Sequence, residues 1–269
     1  MMALCSIAGA DVCFEQVLRT DNYMSTSTSQ ASSRVMIKGD WSRTETQMKI
    51  RGVASGTLKR KSVSIVRLDL QLVWNIWPEK KAYEEVSFGD LKKMMGDAVR
   101  TGSDRTASKP SIEVKRTGER RKIAGFKCSH VVVTMHCKIS DPESGRPIDG
   151  IFINDMWIAD LAAMADEIER FNRRLSEMAG VRELNQEMMS AFGIGPAEYA
   201  AFESKVKEYI GLPVLVNIIL ALDNAQSELP KLILFSAVNE VKKVSNRKLK
   251  PENFERPKGY ELVAAGGLY

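Results

Sequence analysis

Arg34-Val35-Met36-Ile37-Lys38-Gly39-Asp40-Trp41-Ser42-Arg43-Thr44-Glu45-Thr46-Gln47-Met48 is the stretch whose reading decides the fold. Val35 and Ile37 alternate with Arg34, Met36 and Lys38, the period of an extended strand. Gly39-Asp40 follows, a pair suited to a two-residue hairpin turn with glycine first. Trp41 to Met48 returns with period-two polarity. Outward from this hairpin the pattern repeats. Val63, Ile65 and Arg67 alternate with Ser64, Val66 and Leu68, and Asp69 to Gln71 breaks the run. Leu72 to Trp77 is apolar and aromatic, Pro78-Glu79-Lys80 stops it, and Ala82 to Val86 returns. Short strands joined by tight turns require antiparallel pairing, because parallel pairs need long crossovers. Residues 11–88 therefore read as a meander.

Asp90 to Val99 reads as a short helix, with Leu91, Met94, Met95 and Ala98 on one face. Strand signals resume at Ser111 to Thr117, turn at Gly118, pass Lys122-Ile123, turn at Gly125 and continue from Lys127 to Lys138. Ile148 to Trp157 closes this group. The period then changes. Ile158, Leu161, Ala165, Ile168, Phe171, Leu175 and Met178 recur at three- and four-residue steps, one face of a helix. Asp166 with Arg170, and Glu169 with Arg173, stand four apart in the favourable order. Gly180 suits a C-cap. Leu184, Met188 and Ala191 predict a second helix before Gly193. Pro196 opens a third, lined by Tyr199, Phe202, Val206 and Tyr209 and ended by Gly211. Strands return at Pro213 to Leu222 and Leu232 to Val244. The predicted fold class is α+β. A curved antiparallel β-sheet forms a half-barrel whose concave face is covered by helices, including a helical insert over residues 158–211.

The chain has 269 residues, 44% of them hydrophobic, and a net charge of +5 from 39 basic and 34 acidic side chains. That composition is globular and long enough to bury a core unaided. Basic clusters occur at Lys59 to Lys61, at Arg116 with Arg120 to Lys122, and between Lys242 and Lys250. They suit solvated strand edges, or attraction to anionic lipid headgroups. No interleaved basic–aromatic motif points to nucleic acid. The longest apolar stretch, Leu212 to Leu222, is about half of what a spanning helix needs. Met1 to Ala10 holds no charge and ends Ala8-Gly9-Ala10, the pattern that precedes a signal-peptidase cut. We read residues 1–10 as the residual part of a signal peptide whose start lies upstream. Residues 11–269 then form a single exported domain, periplasmic or secreted. The alternative is an apolar N-terminal strand of a cytoplasmic protein. Leu4 before Cys5 is too large for a lipoprotein cleavage site. Removal of residues 1–10 leaves Cys13, Cys128 and Cys137, enough for at most one internal disulfide.

Several segments, taken in order, resemble a family of exported bacterial domains of unknown function. They are Ile65-Val66-Arg67-Leu68-Asp69, Val73-Trp74, Pro78-Glu79-Lys80-Lys81-Ala82-Tyr83, Gly125-Phe126-Lys127-Cys128 and Trp157-Ile158-Ala159. Gly211-Leu212-Pro213-Val214 and Phe254-Glu255-Arg256-Pro257-Lys258-Gly259-Tyr260 complete the set. Those domains are similar in fold to the periplasmic lipoprotein carrier LolA and the outer-membrane receptor LolB. The resemblance covers most of the chain after residue 11. It implies a half-barrel sheet with helices over the concave side, and lipid or acyl-chain binding only through that shared fold.

Little in the sequence points to catalysis. His130 and His136 are the only histidines, and on a continuous strand about six steps of roughly 3.3 Å keep them from sharing a metal with Cys128. No P-loop, dinucleotide fingerprint, HExxH or G-x-S-x-G motif occurs. Glu84-Glu85 and Asp166-Glu167 are adjacent carboxylates that point apart and suit solvent. The expectation is a non-enzymatic domain with no cofactor and no metal. The apolar inventory is richer. Met94, Met95, Met164, Met178, Met188 and Met189 gather in the predicted helices, where methionine adapts to irregular partners. Trp74 and Trp77 should point to opposite sheet faces. The candidate ligand-binding residues are Trp74, Met94, Met95, Met164, Ile168, Phe171, Met188 and Phe202. The expected partner is a lipid, acyl chain or other hydrophobic ligand. The other reading is an envelope protein-interaction module whose core is filled by its own side chains.

Overall fold

The computed structural model describes residues 11–23, 27–52, 56–99, 111–140, 147–180, 204, 211–222 and 232–264. Six strands come first among the described residues: β1 (Val12–Asn22), β2 (Ser27–Lys38), β3 (Trp41–Gly52), β4 (Gly56–Arg67), β5 (Leu72–Trp77) and β6 (Ala82–Ser87). Each pairs antiparallel with the next. The hairpin at Gly39-Asp40 forms as its residues require. Lys38 faces Trp41 across it, and Gly39 takes φ +56°, a conformation that costs glycine little. The Ser/Thr-rich Ser27 to Ser33 belongs to β2, held sideways by hydroxyl pairs: Thr20 with Ser29, and Ser33 with Thr46.

Helix α1 (Phe88–Val99) follows β6. Then come β7 (Ser111–Ile123), β8 (Phe126–Ser140) and β9 (Pro147–Ala159), helix α2 (Ala162–Ala179), β10 (Leu212–Leu222), β11 (Ile233–Ser245) and the short β12 (Glu261–Leu262). One open sheet holds the twelve strands of the described residues, in the order β12-β6-β5-β4-β3-β2-β1-β11-β10-β9-β8-β7. The pairing of β1 with β11 joins the two meanders. The β12–β6 pair is parallel, and the other pairs are antiparallel.

The register from β1 to β6 runs without a shift, so alternate residues keep to one face. On one face Val12, Phe14, Val35, Ile37 and Val73 pack with Phe88 and Leu91 and with Met164, Ile168, Phe171 and Leu175 of α2. On the other, Cys13, Met36, Ile65, Trp74, Ile76 and Tyr83 pack with Leu249 and Phe254. Helices cover the first face. A C-terminal strap through the 3₁₀ turn Pro251–Phe254 covers the second, and Phe254 is fully buried. Backbone bonds from Glu261 to Lys81 and from Val263 to Tyr83 tie the strap to β6.

Several expectations need correction. Ile158 and Ala159 remain in β9, so the helix opens at Ala162 instead of Ile158. Gly118 does not end a strand. It takes φ +80° at an irregularity inside β7, where pairing skips from Arg116 to Arg120. Glu84 and Glu167 are buried, not solvated. Glu84 accepts from Asn75, Glu85 accepts from the Trp74 indole, and Glu167 pairs with Arg170. Arg170 therefore serves Glu167, three residues away, in place of the predicted Asp166. Gly180 does cap α2 in the left-handed conformation. Residues 1–10 and the predicted second and third helices lie outside the described residues, Ser204 excepted. Where the chain rejoins the sheet, Gly211 has φ +142°, and a Cβ there would sit 2.4 Å from the Ala159 carbonyl oxygen. Only glycine fits that approach.

Candidate functional site

The predicted ligand-binding residues do not all meet. Phe171 is buried and Met164 and Ile168 are half-buried between α2 and the sheet. Trp74 is buried on the opposite face, under the strap, with its indole N–H bonded to Glu85 at 2.8 Å. Met94 and Met95 stand in α1, and their side chains lie outside the described set. Met188 and Phe202 lie outside the described residues. α2 packs on β1, β2, β10 and α1.

The apolar surface of greatest interest is in β10. Its six successive residues Leu215, Val216, Asn217, Ile218, Ile219 and Leu220 are all half-buried, although β10 lies inside the sheet with β9 and β11 on its flanks. Val216, Ile218 and Leu220 share a face with Met156, Asn154 and Phe152 of β9, and with Asn239, Ala237 and Phe235 of β11. Further along that face, Val131 and Val133 of β8 are buried with Met156 and Ile158. Two polar groups interrupt it. The side-chain oxygens of Asn154 and Asn239 are buried and have no hydrogen-bond partner, while the Asn239 amide donates to Gln16. An unpaired buried acceptor costs about 1–3 kcal/mol. The signal for Asn154 was present in the sequence, as an amide next to the otherwise apolar Ile151-Phe152-Ile153 run.

At the β7 end of the sheet, His130 is held on three sides. Its Nε2 lies 3.0 Å from Asp155 Oδ1 and its Nδ1 lies 3.0 Å from Thr117 Oγ1. The Asp155 carboxylate can only accept, so Nε2 carries the proton when the ring is neutral and Thr117 then donates to Nδ1. The ring stacks on Trp157, and Arg121 lies over the same indole at 5.2 Å. Beside it opens a cleft of about 470 Å³ between β7, β8 and β9. Cys128, two residues along β8, is a free buried thiol, and burial pushes its pKa up.

A second cleft of about 480 Å³ crosses β1 to β4 and is lined mainly by polar side chains, Arg34 among them. The Arg34 guanidinium is held above its usual range, first by a hydrogen bond with Cys13 and then by Glu45 and Glu15, against the opposing effect of burial; its Nε has no partner. Nearby, Arg67 lies over Trp41 at 4.9 Å and bonds Asp69. Among the described residues, no three His, Cys, Asp or Glu side chains gather to hold a metal ion, and no helix is long and apolar enough to cross a membrane.

Comparison with known proteins places the chain. Residues 14–193 match the family model described as "Domain of unknown function (DUF4412)". No curated protein matches the sequence. Among solved structures, the chain is distantly similar to a beta-barrel-like protein of the domain of unknown function DUF1849 from Brucella abortus. That match has 8% identity and a TM-score of 0.22, over 90% of this chain and 100% of that one. It is also similar to a DUF1329 family protein from Desulfovibrio piger, at 9% identity and a TM-score of 0.18, over 93% of this chain and 91% of that one. The family model spans more than half of the 269 residues, and the chain belongs to the DUF4412 family.

Proposed function

We propose that this member of the DUF4412 family is a non-enzymatic, exported domain that holds a hydrophobic, lipid-like molecule against its sheet. The observation that carries this reading is the half-buried run Leu215 to Leu220 of β10. An interior strand rich in apolar residues is ordinarily sealed on both faces, and the partly open Val216, Ile218 and Leu220 on one face of β10 suit a hydrophobic ligand. The reading takes the sheet as a carrier-like half-barrel with α2 as part of its cover. Export rests on Ala8-Gly9-Ala10 and on the onset of charge at Asp11. The alternative, an envelope interaction module without a ligand, is favoured by one observation. Both faces of β1 to β6 carry packed apolar clusters, one under the helices and one under the strap.

The test is direct. Protein purified without detergent is extracted with organic solvent, and the extract is analysed by mass spectrometry. A fluorescent fatty-acid analogue is then titrated into the delipidated protein. Co-purified lipid, with saturable binding that Ile218→Asp weakens, supports the carrier reading. An empty extract with no saturable binding overturns it in favour of the interaction module.

A further inference from the structure

We infer that the cleft between β7, β8 and β9 is the site for an anionic lipid head, a carboxylate or phosphate attached to an apolar chain. This rests on the lipid-binding reading above and gives it a headgroup class. The floor of the cleft includes Val131 and Ile158, and its rim includes Arg116, Arg120 and Lys127. Ser129 faces Ile158, and Val131 faces Met156, across the β8–β9 pair. The cleft floor therefore belongs to the same sheet face as Val216, Ile218 and Leu220. Basic rim and apolar face lie on one side of the sheet, joined through the buried cluster Val131, Val133, Met156 and Ile158, so an anionic head at the rim would place its chain toward β10.

The irregularity in β7 builds the rim. In a regular strand Arg116 and Arg120 would be about four steps apart, roughly 13 Å. Here Arg116 faces Val131 and Arg120 faces Ser129, which are only two steps apart on β8, roughly 7 Å. Residues 117–119 bulge out, with Gly118 at φ +80°, and the two arginines draw closer along the face they share. Two arginines on backbone positions that close can bring both guanidinium groups to one carboxylate or phosphate through charge-assisted hydrogen bonds. Glu119 and Asp160 also line the cleft, so its lining carries two acidic side chains against the three basic ones Arg116, Arg120 and Lys127.

Calorimetric titration of the full chain with palmitate, palmitoyl lysophosphatidate and uncharged monopalmitoylglycerol tests this, each kept below its micelle concentration. The expected result is that at least one anionic lipid binds about tenfold more tightly than the neutral one at low salt. Raising ionic strength to about 0.5 M should narrow that gap. Preference for palmitate over the lysophosphatidate, or the reverse, identifies the head as carboxylate or phosphate. The variants R116Q/R120Q and, separately, K127Q should reduce the preference while leaving neutral-lipid binding and the thermal melt unchanged. Equal binding of charged and neutral lipids, or a preference that survives R116Q/R120Q, overturns the head site and leaves the carrier reading standing. Inorganic phosphate binding as tightly as the lipids also overturns it. Absence of binding by all three lipids sinks both.

Discussion

His130 lies flat on Trp157, with ring centroids 4.5 Å apart and planes 7° from parallel. The two residues are direct cross-strand partners on β8 and β9, and Trp157 is 7% exposed. Truncating Trp157 to alanine removes a buried indole and should cost about 3–5 kcal/mol of unfolding free energy by urea titration. His130→Phe keeps an aromatic ring for the stack but strands Asp155 and Thr117. It should cost less, about 1–3 kcal/mol. A larger loss from His130→Phe than from Trp157→Ala would mean that the hydrogen bonds, not the stack, hold this end of the sheet.

Phe171 anchors α2 to the sheet and is 4% exposed. Phe171→Ala should lower stability by about 3–5 kcal/mol. If the helical segment is the gate for a ligand, its amides should exchange with deuterium faster than those of β5 and of Lys127 to Met135, and should slow when an amphiphile binds. Protection equal to those strands, unchanged by any amphiphile, removes the gate.

Asn154 carries a buried oxygen without a partner on a mostly apolar face. Asn154→Val removes an unsatisfied acceptor and suits a strand, so the delipidated protein should gain about 1 kcal/mol. A loss of stability by thermal melt would show that the amide is satisfied in solution.

Asp69 is held below the usual carboxylate range, first by its hydrogen bonds with Arg67 and further by one from Trp41, against the opposing effect of burial. A depressed folded-state pKa stabilises the protein above the unfolded value, here 3.8, and that contribution disappears as pH falls through the lower folded value. Stability should therefore fall with acid below about pH 4, and Asp69→Asn should flatten that part of the profile. An identical acid profile in the variant would contradict the Arg67–Asp69 assignment.

Much of the fold was legible because its signals are local. The hairpin at Gly39-Asp40, the turn at Gly125 and the cap at Gly180 follow from glycine's tolerance of positive φ. The strands follow from period two, and α2 from its three- and four-residue spacing. What stayed hidden depends on long-range register. Gly118 reads as a turn from its neighbours alone, and only pairing with β8 makes it a bulge. Glu84 and Glu167 look solvated until Asn75, Arg170 and the packed core surround them. Trp74 and Phe171 look like walls of one cavity, yet strand alternation and the covering elements put them on opposite faces.

The sequence by itself determined the antiparallel meander, the helical period that follows β9 and the absence of familiar catalytic motifs. These rest on backbone preference and on residue chemistry within a few positions. Only the tertiary structure decided that β11 pairs with β1, that the C-terminal strap seals Trp74, and that His130 meets Trp157 and Asp155. Such contacts join residues far apart in the chain, and their energies appear only once the sheet has brought those residues together.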